Sequence, residues 1–166
     1  KGIAVNGLPM KRLGELFGTL HAVMFSPEDL QLIKSGPSER RRFMDMELCQ
    51  LSNVYYHDLQ QYYKILKQRN SLLKQVARGR CGRDTFYLWD KQLIDFGSRI
   101  LVARQRFVSK IEMIASQQHH LMTGGKETLE LKYLPNTVAD DFESKLESHL
   151  ERDIILGSTT IGPHKD

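Results

Sequence analysis

The sequence is 166 residues long, and 40% of its residues are hydrophobic while 27% are charged. This balance is typical of a globular domain that buries its own core, and it excludes a disordered or membrane-spanning chain. No apolar run approaches the roughly 20 residues that cross a bilayer, and no signal-peptide pattern opens the sequence. Two widely separated cysteines, Cys49 and Cys81, favour a reducing compartment and hence the cytoplasm. Because the first residue is lysine rather than methionine, we expect a piece of a longer protein.

The first 35 residues predict a small α+β segment. Ile3-Ala4-Val5 followed by Asn6-Gly7 is typical of a strand that ends in a turn. Residues 11–18 predict a short helix, and the apolar run at 20–25 predicts a buried strand. A second short helix is expected from Ser26 to about Ser35.

Residues 36–125 predict two long helices. Gly36 and Pro37 fit the N-cap and the first helical position. The first helix can run unbroken to about Arg78 or break near Ser52-Asn53, since both of these residues are weak helix formers. The second runs from about Asp84 to Met122, where Thr123-Gly124-Gly125 stops it.

Apolar residues recur three and four apart along both helices, which indicates one narrow stripe on each, as in the seam of a coiled coil. The stripes comprise Met44, Leu48, Leu51, Tyr55, Leu59, Tyr62, Leu66, Leu73 and Val76, then Phe86, Trp89, Leu93, Phe96, Ile100, Ala103, Phe107, Ile111, Ile114 and Leu121. The turn Arg78–Arg83 is too short for anything but an antiparallel return.

The remaining residues predict a strand at Thr128–Leu134, a third helix at Val138–Leu156 and a final strand at Ser158–Gly162. The predicted fold is therefore mainly α, and α+β overall. A long antiparallel helical hairpin, residues 36–125, is inserted in a small α+β base that residues 1–35 and 126–166 form together.

The net charge of +4 is distributed unevenly along the chain. Residues 64–110 carry 12 basic and 3 acidic side chains, whereas residues 111–166 carry 5 basic and 10 acidic ones. Like charges at this density repel unless a polyanion neutralises them, so nucleic acid is the expected partner, although a solvated helical face would also account for them. The candidates for DNA-binding residues are Lys67, Arg69, Lys74, Arg78, Arg80 and Arg83.

Six motifs are spread along nearly the whole chain: Val5–Gly7, Val23–Leu30, Gly36–Asp45, Tyr56–Tyr62, Leu66–Asn70 and Gly162–Asp166. In this order they resemble the RecF family, bacterial recombination-mediator proteins related to the SMC and Rad50 ATPases. The resemblance implies the helical second lobe of a RecF-like protein together with the strands that tether it to an ATPase lobe.

The resemblance also implies what the chain lacks. Nothing reads GxxxxGK[ST], the phosphate-binding Walker A loop, and the signature and Walker B motifs would lie beyond Asp166. The fragment is therefore expected to be no enzyme and to carry no cofactor. The intact parent would bind ATP and Mg and act as a weak DNA-dependent ATPase.

For the parent, the resemblance implies roles in DNA replication, repair and recombination and in the SOS response. It would bind double-stranded and gapped DNA as an ATP-dependent homodimer. At single-strand gaps it would act with RecO and RecR to load RecA. No membrane partner is expected.

A similarity to SMC heads implies one nucleotide-sensing element. Ser26, Glu28 and Asp29 occupy the position of the Q-loop, which senses the metal and the γ-phosphate of ATP. Because glutamine is missing there, a carboxylate of Glu28 or Asp29 would hold a metal-bound water instead. Helix capping explains both acids adequately without such a role.

A triplet of arginines, Arg40, Arg41 and Arg42, falls in the first turns of a helix, where cations oppose the helix dipole. Pairing with Glu39 or Asp45 would explain the triplet structurally. Functionally, it predicts contact with phosphate or with the surface of an ATPase core.

Two other classes of function stay open. The hairpin could dock structured RNA, as the arm of a seryl-tRNA synthetase does, or serve as a protein-interaction arm for RecR or a second protomer. No catalytic residue and no metal site is predicted, because the adjacent His119 and His120 would point about 100° apart on a helix.

Overall fold

The structure, a computed structural model, describes residues 3–10, 16, 22–23 and 26–166. In this part of the chain most residues are helical, and a single two-stranded sheet is present. The expected class, mainly α and α+β overall, is confirmed. The chain divides into two compact units, Lys1–His57 and Asp58–Asp166.

The first unit begins with a β-hairpin. Strands β1 (Ile3–Val5) and β2 (Leu8–Met10) pair antiparallel, with Val5 opposite Leu8. Asn6 and Gly7 have φ angles of 51° and 82°, as the two-residue hairpin turn requires. The predicted strand and turn are confirmed, whereas β2 was not predicted. Its Pro9 is tolerated because both strands of a two-stranded sheet are edge strands.

The next predicted elements fall largely outside the described residues. Only Leu16 is described in the predicted helix at 11–18. In the predicted strand at 20–25, only Ala22 and Val23 are described, and both are exposed and lie outside any strand.

Short helical turns precede the first long helix. Pro27–Leu30 forms a 3-10 turn and α1 spans Gln31–Lys34, which together confirm the short helix expected there. Helix α2 spans Pro37–Leu51, with Gly36 at its N-cap and Pro37 at its first position, as predicted.

Ser52 separates α2 from α3, which spans Asn53–Ala77. Its backbone is extended, with φ −149° and ψ 113°, and its N–H donates to the Leu48 carbonyl at 2.9 Å. The Ser52 hydroxyl accepts the N–H of Tyr55 at 3.1 Å and so caps the start of α3. The alternative of one unbroken helix to Arg78 is therefore wrong.

Helix α4, Phe86–Thr123, returns antiparallel to α3 within the second unit. Arg69 on α3 lies opposite Asp90, and Tyr62 lies opposite Gly97. The expected antiparallel return is confirmed. The helix ends, as predicted, before Gly124, which adopts the left-handed conformation at φ 61°.

The predicted third helix is shorter and divided. Residues 138–141 precede α5 (Phe142–Ser148), and His149 separates α5 from α6 (Leu150–Leu156). The Ser148 hydroxyl donates to the Lys145 carbonyl at 3.0 Å, a local bond that competes with continued helix. The expectation of one helix from Val138 to Leu156 is wrong.

The two strands predicted for residues 126–166 do not form; the described residues there contain no strand. At 158–162, side chains of helices take the place of a neighbouring strand. The N–H of Thr159 donates to Asn70 Oδ1 at 2.8 Å, and the N–H of Thr160 donates to Asp153 Oδ1 at 2.9 Å. At 128–134, the Leu129 carbonyl accepts from the Ser116 hydroxyl at 2.5 Å.

The core of the second unit is broader than a coiled-coil seam. Its buried apolar residues include Tyr62, Leu66, Leu73, Phe86, Leu93 and Ile100, as predicted, but also Ile65 and Leu101. Helix α5 adds Phe142 and Leu146, which are fully buried, and the ring of Phe142 packs directly over Gly97. Helix α5 thus covers the pair formed by α3 and α4. The predicted stripe positions Leu51, Ile114 and Leu121 are more than half exposed.

Candidate nucleic-acid interface

Three basic side chains form a line along the exposed face of α3. Lys67, Lys74 and Arg78 are exposed and lie seven and four residues apart. At 100° per residue this spacing places them within about 20° of one direction, along roughly 16 Å of helix axis. Arg78 is the first residue past α3, but its N–H bonds to the Gln75 carbonyl at 3.2 Å and continues the turn. We call these three residues the cation line.

Arg80 extends the basic surface into the turn. It is exposed, and its N–H donates to the Gln75 carbonyl at 3.0 Å. Within the described residues, no carboxylate pairs with Arg80 or with the cation line. The side chain of Arg83 lies outside the described part of the structure, so its DNA contact stays a prediction.

Arg69 corrects the predicted set of DNA-binding residues. Its side chain is 0% exposed, and it lies on the face of α3 opposite Lys67. Its Nε donates to Asp90 Oδ1 at 2.6 Å, and its Nη1 donates to Asp153 Oδ2 at 2.7 Å and to the Thr159 hydroxyl at 2.8 Å. A guanidinium enclosed in this way cannot reach a phosphate, so the prediction that Arg69 contacts DNA is wrong.

The cluster around Arg69 places two carboxylates against one guanidinium. Burial raises the pKa of the Asp90 carboxyl above its usual range, and the charge and hydrogen bond of Arg69 only partly offset this. The negative charges of Asp153 and Glu147 raise it further. Keeping Asp90 ionised therefore costs free energy. When both acids are ionised, Asp90 and Asp153 carry two negative charges against the one positive charge of Arg69.

Arg104 is a second buried arginine. It is 0% exposed, and its Nη1 donates to the Pro163 carbonyl at 2.6 Å and to Asp166 Oδ2 at 2.8 Å. The Tyr133 hydroxyl donates to the same carboxylate. The sequence motif that ends the chain is thus fixed to α4 by a buried ion pair.

A hydrogen-bonded chain fixes the same segment to α3. Burial raises the pKa of the Tyr62 hydroxyl well above its usual range, so the hydroxyl keeps its proton and donates to His164 Nδ1 at 2.6 Å. The His164 ring then carries its proton on Nε2, which donates to the Thr159 carbonyl at 3.0 Å. Gly162, at φ 129°, passes close enough that a Cβ there would lie 2.5 Å from the Tyr62 hydroxyl.

Sequence reasoning missed the structural role of both arginines, although signals for it were present. Arg69 fills the empty seam position between Leu66 and Leu73. Arg104 lies four residues after Ile100 and seven after Gly97, both buried. A cation at a core position signals burial with a partner rather than solvent exposure.

The residues of the Q-loop position form a helix cap. The N–H of Ser26 donates to Asp29 Oδ2 at 2.7 Å, and the N–H of Asp29 donates to the Ser26 carbonyl at 3.0 Å. This is one half of a capping box, with the acid at the third helical position. The side chain of Glu28 lies outside the described part. Capping accounts for Asp29, and nucleotide sensing remains a prediction.

Within the arginine triplet, Arg40 and Arg42 make contacts with nearby residues of the chain. Arg40 donates to the carbonyls of Ser35 at 2.9 Å and Leu32 at 3.5 Å, at the end of α1, where a cation is favourable. Arg42 lies 3.9 Å from Glu39 and is exposed, and Arg41 is half-buried.

Two further kinds of site are absent from the described residues. No group of three or more histidine, cysteine or acidic side chains is placed to hold a metal ion there. Within the same residues, no helix combines the length and the apolar character needed to cross a membrane.

Comparison with known proteins gives one consistent result. The DNA replication and repair protein RecF of Lachnoclostridium phytofermentans is 50% identical over 166 residues, covering the whole chain and 46% of the relative. The protein of the same name from Lachnospira eligens is 48% identical with the same coverage. The chain spans about half the length of the curated relatives it matches. No protein-family model matches it.

Solved structures agree. A structure of the recombination mediator protein RecF-ATPrS in the RecFOR pathway matches 99% of this chain with a TM-score of 0.89 and 35% identity. A structure of RecF-ATP in the same pathway matches with a TM-score of 0.87. This chain covers 46% of each of those chains.

Proposed function

This chain is a relative of the RecF proteins over its whole length, and from that premise we propose that it is the DNA-contacting helical lobe of a RecF-like DNA replication and repair protein. The observation that carries the proposal is the cation line, together with Arg80. Four exposed basic groups stand close together and have no ion-pair partner among the described residues.

The spacing of the cation line suits a phosphate backbone. Its length of roughly 16 Å spans about five phosphates of one strand, at 3.4 Å per phosphate along a duplex axis. Flexible lysine and arginine side chains contact phosphates without reading bases. The expected binding is therefore independent of sequence and sensitive to salt.

The wider role of the parent is part of the same proposal. The chain contains no GxxxxGK[ST] loop, so ATP and Mg²⁺ would be bound by other residues of a longer protein, which would be a weak DNA-dependent ATPase. The solved relatives are described with ATP or ATPrS and in the RecFOR pathway. These descriptions support nucleotide binding by the parent and a role in the RecFOR pathway. The finer part of the proposal, an ATP-dependent homodimer that acts in the cytoplasm, at single-strand gaps, with RecR, RecO and RecA, comes from the family resemblance alone.

The proposal is tested by charge reversal at the turn. We expect Arg78→Glu/Arg80→Glu to weaken binding of a fluorescein-labelled 20-base-pair duplex at least about tenfold, because two phosphate contacts become repulsive. The measurement is fluorescence anisotropy. The control is Lys126→Glu/Lys165→Glu, which changes the net charge equally at two exposed lysines elsewhere.

Two results would refute the assignment. One is equal affinity for duplex DNA in the turn variant and the control. The other is a structured RNA hairpin that displaces the duplex at stoichiometric concentration, which would favour RNA docking. A protein-interaction arm is favoured instead if RecR binds in high salt without DNA and the turn variant abolishes that binding.

Nucleotide sensing by Asp29 needs a substitution that keeps the cap. Asp29→Asn removes the charge but retains an oxygen that can accept the Ser26 N–H. In a protein that carries this chain together with its nucleotide-binding segment, we expect Asp29→Asn to reduce ATP-dependent dimerisation in sedimentation velocity. Unchanged dimerisation at saturating ATP would leave Asp29 with its capping role alone.

A further inference from the structure

A groove lies between α4 and α5, within the second unit. Its cavity volume is about 450 Å³, which is large enough for more than one side chain. Positions three and four apart on α4 form one wall, and one face of α5 forms the other. Its exposed apolar surface comes from Tyr87 and Ile94, and Leu146 also lines it. Leu146 is fully buried in the core, whereas Tyr87 is 69% exposed.

The polar rim of the groove is acidic. Four carboxylates line it, against one basic side chain, Lys91; they are Asp90, Asp95, Glu143 and Glu147. Asp90 is fixed by buried Arg69, and Asp95 is paired with Arg99 at 2.8 Å. Glu143 and Glu147 are exposed and make no ion pair among the described residues.

The charge balance points to a cationic occupant. As described above, the pKa of Asp90 is raised by burial and by nearby carboxylates in spite of Arg69. A cation at the rim would relieve that repulsion. DNA would not, because its phosphates would meet the same carboxylates.

The apolar surface of the groove narrows the kind of cation that would occupy it. A simple metal ion would gain nothing from Tyr87 or Ile94. A lysine or arginine side chain would lay its aliphatic stem along them and direct its charged end to the carboxylates. Arginine suits such a rim best, because its planar guanidinium can bond two carboxylate oxygens together.

We propose that the α4–α5 groove docks an arginine- or lysine-bearing segment of a partner protein. One cationic side chain lies along Tyr87 and Ile94 and is held by Glu143 and Glu147. The docking surface is separate from the cation line, so it can operate while DNA is bound. The proposed docking of a partner protein is an addition to the proposed DNA-binding function and does not depend on that function.

The test uses a peptide probe, acetyl-Arg-Leu-Arg-Leu-Arg-amide, titrated into the methyl-labelled chain. We expect the methyl NMR signals of Ile94 and Leu146 to shift saturably. A matched peptide with citrulline in place of arginine should cause no saturable shift. The substitution Glu143→Gln/Glu147→Gln should weaken the arginine peptide about fivefold, in line with two partly exposed ion pairs, and Tyr87→Ala should weaken it without changing the charge.

The control is Glu127→Gln/Asp140→Asn, which removes two exposed carboxylates away from the groove. Equal weakening by this control would overturn the proposal, because binding would then be a property of net charge. Saturable shifts of Ile94 and Leu146 with duplex DNA would also overturn it. So would a concentration-dependent dimer that Glu143→Gln/Glu147→Gln abolishes, since the occupant would then be a second copy of the chain. Unchanged duplex affinity in the groove variant supports the separation of the two surfaces.

Discussion

At the scale of single residues, cations of α3 that are neighbours in sequence have opposite tasks. Lys67 is exposed, while Arg69, two residues later, is enclosed by Asp90, Asp153 and Thr159. The helical period explains the difference, because two residues correspond to about 200° of rotation. Arg69 therefore belongs to the core, where its charge is needed to balance two acids.

Arg69→Ala tests this division of tasks. We expect it to reduce the free energy of unfolding by about 3–5 kcal/mol, because it leaves the buried carboxylate of Asp153 and the half-buried carboxylate of Asp90 without their cation. Lys67→Ala should change stability by less than about 0.5 kcal/mol, yet weaken duplex binding. Urea titration and anisotropy on both variants make the comparison. The division fails if Lys67→Ala destabilises the chain more than Arg69→Ala.

The raised pKa of Asp90 predicts a definite pH dependence. A carboxyl whose pKa is higher in the folded than in the unfolded chain binds its proton more tightly when folded. Its contribution to stability is therefore complete below the unfolded pKa, near 3.9, and is lost as the pH rises through the folded value.

The test compares the free energy of unfolding of the unchanged chain with that of Asp90→Asn, by urea titration from pH 3.5 to 7. We expect the stability advantage of the unchanged chain to decrease as the pH rises. An advantage that grows with pH would show that Arg69 lowers the pKa of Asp90 more than burial raises it.

At the scale of elements, Gly97 sets how α5 packs on α4. A Cβ at this position would lie 2.4 Å from Phe142 Cε1 and 3.0 Å from Tyr62 Cε2. We expect Gly97→Ala to destabilise the chain by about 1–3 kcal/mol, since the displaced rings outweigh the helix propensity of alanine. Thermal unfolding measures this, with Ser98→Ala as the neighbouring control. A stabilised Gly97→Ala variant would contradict the close packing.

The helices were largely predictable, because their signals are local. Gly36-Pro37 begins α2, Gly124 ends α4, and the weak helix formers at Ser52-Asn53 mark the break before α3. Periodicity also identified most of the buried face. It could not show that α5 covers the α3–α4 pair, because that contact joins residues far apart in sequence.

The predictions of strands at 128–134 and 158–162 were wrong for a physical reason. Alternation predicts that a segment can pair, but not that a neighbouring strand is present. At 158–162 the backbone donors find Asn70 and Asp153 on helices instead. The site prediction failed at Arg69 for a related reason, since charge counting ignores which helical face each cation occupies.

At the scale of the molecule, the second unit presents two surfaces of opposite charge. The cation line and Arg80 are basic, and the α4–α5 groove is acidic. The buried ion pair of Arg69 connects α3 to α6, and that of Arg104 connects α4 to the last residue of the chain. This arrangement separates the surface proposed for DNA from the surface proposed for a protein partner.

The salt dependence of DNA binding tests the central claim most directly. The slope of log K against log salt concentration, measured by anisotropy with a 20-base-pair duplex between 50 and 200 mM NaCl, reports how many phosphates the protein neutralises. If Lys67, Lys74 and Arg78 each contact a phosphate, Lys67→Gln/Lys74→Gln/Arg78→Gln should reduce the magnitude of the slope by about 2.7. The control Lys126→Gln/Arg152→Gln/Lys165→Gln should leave it unchanged. An unaltered slope and affinity in the cation-line variant would contradict the assignment of this face to DNA.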